Sequence, residues 1–176
     1  MNEFAYVTDI TIKYIDLITE LVKQTGCKKY LELGASVGNT LHDVRKYCDR
    51  CVGVDITDKR SYFDFDFVMM NTDDFFLQNT EMFDIVFIDA DHSFESVKKD
   101  FENALLVLSE FGIIIIHDTD PLSKYYVQPG RCGDSYRIVD WIEENHSELN
   151  TFTLPILEAG MTIVGRKKDR RVNKYI

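Results

Sequence analysis

The chain has 176 residues, 45% of them hydrophobic and 28% charged, which is one domain's worth of ordinary globular composition and excludes a disordered chain. A formal net charge of -10 argues against a nucleic-acid partner, because neutralising phosphates takes a surplus of Lys and Arg. No signal peptide opens the sequence and no apolar run approaches membrane-spanning length, so a cytoplasmic protein with no membrane partner is expected.

In chain order, apolar spacing from Ile10 through Tyr14, Leu17, Ile18, Leu21 and Val22 predicts a helix over about 8–26. Thr8 or Asp9 would cap its start, and Gly26 would end it. Compact apolar runs then predict strands at 30–33, 51–56, 67–70 and 85–88, with a helical stretch over 39–48 between the first two. The crossover 57–66 is barely long enough to join parallel strands, so its helix is short or absent. Helical spacing over 93–108 carries a Ser cap at Ser93. Four consecutive isoleucines, Ile113 to Ile116, read as a strand buried on both faces. A helix over about 135–145 and strands at 152–156 and 161–165 complete the chain, followed by a basic, solvated tail. Cys48 and Cys51 form a CxxC with no second half to complete a zinc set, so buried structural thiols are expected.

Such alternation means a doubly wound α/β sheet, in which ligands sit at the carboxyl ends of the strands. After the first strand the chain reads Glu32-Leu33-Gly34-Ala35-Ser36-Val37-Gly38-Asn39-Thr40, a glycine turn that lets backbone approach a ligand closely. Asp55 and Ile56 end the second strand, where a carboxylate suits a ribose diol. After the third comes Asn71-Thr72-Asp73-Asp74, suited either to an adenine amine or to a helix cap made by Thr72 or Asp73.

These three strand ends together resemble the class I S-adenosylmethionine-dependent methyltransferases. The segments 72–76, 83–92 and 112–118 resemble more narrowly the branch called methyltransferase domain 24. The resemblance implies a single domain spanning 1–176, with a Rossmann-like core over about 29–166 and a tail at 167–176. Its sheet would have seven strands, mostly parallel with an antiparallel last strand, and helices on both faces. It also implies S-adenosylmethionine as cofactor and S-adenosylhomocysteine as product. Glu32, Gly34, Ala35, Ser36, Gly38, Asn39 and Thr40 would surround the amino-acid end, Asp55 and Ile56 the ribose, Thr72 and Asp73 the adenine, and Asp89 the methyl donor.

A hydroxyl acceptor must lose a proton, and Asp89, Asp91, His92, His117 and Asp118 are the candidates to handle it. His117 or His92 as a metal-free base is preferred to a divalent ion, Mg2+, shared by Asp89, His117 and Asp118, because magnesium favours oxygen ligands. The segment 119–134, with Tyr125, Tyr126 and Arg131, would overhang the strand ends. By analogy with that branch the acceptor is a small molecule or a glycan hydroxyl, and a homo-oligomer is possible. Competing expectations are a catalytically degenerate cofactor-binding subunit and, with GxGxxG missing, a nicotinamide-dependent oxidoreductase.

Overall fold

The computed structural model describes residues 13–128, 130–156 and 159–167. Helix α1 (Tyr14–Thr25) buries Ile18 and Val22 and ends at Gly26, whose φ of 69° is the left-handed cap a glycine adopts without a Cβ penalty. Strand β1 (Lys29–Leu33) leads through the glycine turn into the short helix α2 (Asn39–Val44), and β2 (Arg50–Asp55) and β3 (Asp66–Met69) follow. Next come α3 (Thr72–Gln78), β4 (Phe83–Ile88), α4 (Phe94–Leu106) and β5 (Leu108–His117). Helix α5 (Arg137–Asn145) and strands β6 (Leu149–Leu154) and β7 (Met161–Arg166) close the domain.

The strands form one sheet in the order β3-β2-β1-β4-β5-β7-β6. Only β7 runs against the others, because it pairs antiparallel with both β5 and β6. Side chains alternate across the sheet, so the isoleucine run feeds two cores. Ile114 and Ile116 join Phe101, Ile138 and Ile142 under α4 and α5, while Ile115 joins Ile18, Val22 and Leu41 under α1 and α2. No helix among the described residues is long and apolar enough to cross a membrane.

Several element boundaries differ from the sequence expectation. The first helix starts at Tyr14 with Lys13 as N-cap and no side-chain cap bond, and Thr8 and Asp9 lie outside the described residues. The second helix stops at Val44 rather than Cys48: past Arg45 the chain tightens into a turn in which the Tyr47 amide donates to the Val44 carbonyl. Strand β5 begins five residues before the isoleucine run. Its pairing with β4 shifts register between Phe83 and Ile85, and at Gly112 any Cβ would lie 2.8 Å from the Asp84 carbonyl oxygen. Strand β6 stops at Leu154 because Pro155 has no N–H to give the ladder. Ser93 does cap α4, accepting from the Ser96 amide, and all four cysteines are free and buried.

The crossover between β2 and β3 contains no helix. Its Phe65 ring lies instead under the glycine turn, where a Cβ on Gly38 would come within 2.6 Å of it. In-register pairs Leu33↔Val54, Leu33↔Ile88 and Ile88↔Ile116 bring the carboxyl ends of β1, β2, β4 and β5 to one rim of the sheet.

Candidate active site

The turn after β1 is shaped by three left-handed residues, Gly34 at φ 88°, Ser36 at φ 46° and Gly38 at φ 82°. The Ser36 amide donates to Asp55 Oδ2 at 2.9 Å, and Asp55 Oδ1 accepts from the Thr57 amide and hydroxyl. Three of the roughly four acceptor positions of this carboxylate thus hold its own loops, which leaves about one for a ligand hydroxyl. A cavity of about 670 Å³ opens beside this turn, lined by Gly34, Ser36, Asp55 and Ile56 on one side and Asp89, His92, His117 and Asp118 on the other. Tyr126, Arg131 and Lys59 also face it.

A second cavity, of about 330 Å³, shares Gly34, Asp55, Ile56 and Ala90 with the first and runs on to Thr72, Asp73 and Asp100. Asp73 Oδ2 pairs with Lys99, but its Oδ1 is buried without a hydrogen-bond partner, which suits a donor arriving from the cavity. The helix cap here is Asn71, accepting from the Asp74 amide at 2.8 Å, so neither Thr72 nor Asp73 takes that role. Burial pushes the Asp100 carboxyl up to about 6, against the lowering effect of the Thr72 hydroxyl.

Not every expected residue faces these cavities. Glu32 is buried and accepts from the Tyr30 hydroxyl at 2.8 Å, and burial pushes its carboxyl well above the usual carboxylate range. Ala35, Gly38 and Thr40 are buried as well, and Asn39 is exposed at the start of α2. None of these five lines either cavity.

At the ends of β4 and β5 four side chains converge. His117 Nδ1 lies 3.3 Å from Asp89 Oδ1 and 3.1 Å from Asp118 Oδ1, though neither is aligned as a hydrogen bond. Burial opposes charge on this ring, yet the two carboxylates outweigh it and lift the imidazole to about 9. His92 Nδ1 lies 3.0 Å from Asp118 Oδ2 and Nε2 lies 3.6 Å from Asp89 Oδ1. Asp118 and then Asp89 raise this ring to about 11, against its desolvation. Burial would push Asp118 up, but the two imidazoles hold it well below the usual range. Its φ of 60° is a left-handed conformation that Asp tolerates better than most residues. Asp91 stays out of the cluster, because its carboxylate accepts from the Ser93 amide.

The trio whose donor atoms lie within 4.8 Å of one another is Asp89, His92 and Asp118. His92 thus joins the expected set of Asp89, His117 and Asp118, because the turn after β4 brings it back over both carboxylates. Magnesium does not fit the trio, which pairs two carboxylates with imidazole nitrogens rather than offering a shell of oxygens.

Sequence reasoning missed Tyr14, whose ring packs 4.6 Å from His117. Its apolar spacing marked it only as one residue of a helix face. Lys59 and Asp100 were missed as wall residues, since neither stands at the end of a strand.

A family model described as a methyltransferase domain matches residues 31–119, half of the chain. The chain belongs to this methyltransferase family. The match ends just past Asp118, so it takes in both cavity-lining turns and the whole four-residue cluster. A search of curated proteins finds no match. Among solved structures the chain is similar to the O-methyltransferase of Bacillus cereus in complex with S-adenosylhomocysteine, at 19% identity, 92% of this chain, 84% of that one and a TM-score of 0.72. It is also similar to a Staphylococcus aureus protein described as a caffeoyl-CoA O-methyltransferase, at 19% identity, 94% and 90% coverage and a TM-score of 0.71. A third is TomG of Streptomyces achromogenes in complex with S-adenosylmethionine, at 15% identity, 92% and 83% coverage and a TM-score of 0.70. At these identities the likeness establishes the fold, which is the Rossmann-like class I methyltransferase fold.

Proposed function

We propose that this chain transfers a methyl group from S-adenosylmethionine to the hydroxyl of a small molecule or sugar. One observation carries the reading: a single cavity has the Gly34–Ser36 turn and Asp55 on one wall and the Asp89–His92–His117–Asp118 cluster on the other. The first wall suits the donor, since Asp55 keeps acceptor capacity for a ribose hydroxyl. The adjoining cavity with the unpartnered Asp73 Oδ1 suits an adenine amine.

The bound donor would supply a methyl group already activated on a sulfonium. What the protein must add is alignment, exclusion of water and a place for the hydroxyl proton. His117 in its neutral form, favoured as pH rises towards about 9, is the residue for that proton: its Nδ1 faces two carboxylates and so keeps the N–H, which leaves Nε2 as the base. The carboxylates of Asp89 and Asp118 stabilise the imidazolium that results, and the Tyr14 ring packs 4.6 Å from the imidazole. Tyr126 and Arg131 close the acceptor side, with the Arg131 guanidinium stacked 3.8 Å from the Tyr125 ring.

The test is calorimetric titration of S-adenosylmethionine, with NAD as control and Asp55→Ala alongside. Micromolar binding, absent for NAD and at least about tenfold weaker in the variant, is expected. No binding at millimolar donor would overturn the reading.

A further inference from the structure

We infer that the ring of His92 occupies the place a divalent cation would take between Asp89 and Asp118, so that this acid pair is neutralised by the chain itself. The inference takes the location of the acceptor site from the methyltransferase reading, but the ion chemistry stands on the geometry alone.

Two opposed acids at neighbouring strand ends would ordinarily repel each other or capture a cation. Here an imidazole lies between them. Its Nδ1 donates to the Arg131 carbonyl, which has no proton to give, so Nδ1 must carry one. The same nitrogen lies 3.0 Å from Asp118 Oδ2. The other nitrogen, Nε2, faces Asp89 Oδ1 at 3.6 Å, and an ionised carboxylate only accepts. With an acceptor before each nitrogen, the ring is held as an imidazolium and offers no lone pair to a metal. His117 adds a second imidazole within 3.3 Å of both acids, so the pair is flanked by rings on two sides.

The ring is also held from behind. The Asp134 amide donates to the His92 carbonyl at 3.2 Å, and the Asp134 carboxylate takes the Phe94 amide at 2.7 Å. Gly133 lies so close that a Cβ there would come within 2.3 Å of the His92 carbonyl oxygen. The backbone at residue 92 is thus clamped by 133–134, and swinging the ring away to admit an ion would undo the Arg131 contact as well.

The experiment titrates MnCl2 and MgCl2 into chelator-treated protein by calorimetry, for the wild type, His92→Gln and His92→Ala. No saturable binding is expected in the wild type at millimolar ion. The variants, with their acid pair uncovered, should bind Mn2+ at least tenfold more tightly than the wild type. Saturable micromolar binding by the wild type would overturn the inference, as would folded variants that gain nothing. Nitrogen-15 shifts of the His92 ring at neutral pH give a second readout that needs no variant. Two protonated nitrogens are expected, and a bare Nε2 would overturn the inference. Neither readout involves turnover or the methyl donor, so failure to bind S-adenosylmethionine would sink the proposed function and leave this inference standing.

Discussion

Gly34 and Asp89 meet backbone to backbone: a Cβ on residue 34 would lie 2.1 Å from the Asp89 carbonyl oxygen and 2.7 Å from the Ala90 Cα. The contact joins the turn after β1 to the turn after β4, and with them the two walls of the main cavity. Replacement of Gly34 by alanine meets both this clash and a φ of 88°. Gly34→Ala should cost more than about 3 kcal/mol in urea unfolding, and the surviving folded fraction should not bind S-adenosylmethionine.

His117→Ala should lower kcat by about a hundredfold or more, the usual contribution of a positioned proton acceptor. Donor affinity should change less than about threefold, because in the proposed reading the ring serves the acceptor and not the donor. Steady-state kinetics paired with calorimetry separate the two quantities, and near-normal turnover would end the case for His117.

Asp100 makes stability depend on pH. Its carboxyl titrates near 6 in the fold, raised chiefly by burial from an ordinary value of 3.8. The native state therefore holds this proton more tightly than the unfolded chain does. The stability it confers is fully present below about pH 4 and is lost as pH rises to about 6. Asp100→Asn, which keeps the shape and a polar partner for Thr72, should remove that slope and raise stability at pH 7 by up to about 3 kcal/mol. Chemical denaturation at several pH values reads it directly.

Asn71 caps α3 through the Asp74 amide, and the helix carries Thr72 and Asp73 into the second cavity. Asn71→Ala should destabilise the protein by about 1 kcal/mol in thermal melting. Donor affinity should fall by more than it does for a cap lost elsewhere, since the frayed turn is the one that holds Asp73.

Much of this architecture is legible in the sequence, because parallel strands buried on both faces leave unbroken apolar runs such as Ile113 to Ile116. The glycine turn, Asp55 and Asp73 sit where the runs end, and periodicity suffices to find them. What escapes is whatever depends on contacts between distant segments. The early start of β5 follows from the approach of Gly112 to Asp84, 28 positions away in the chain. The partnership of His92 with Asp118 needs the fold to lay one turn over another, and local spacing instead singled out the adjacent pair His117-Asp118. Tyr14 is hidden for the opposite reason, because its place on an apolar helix face is true but incomplete.

The aromatic ring beneath Gly38 has a consequence for engineering the protein. Phe65 belongs to a helix-free connection whose outer residues are open to solvent, yet its ring is a buried wedge under the glycine turn. Grafting a different connection between β2 and β3, as one might to alter surface properties, would remove that wedge. Such a graft would loosen the glycine turn from beneath, in addition to taking Thr57 and Lys59 from the wall of the main cavity.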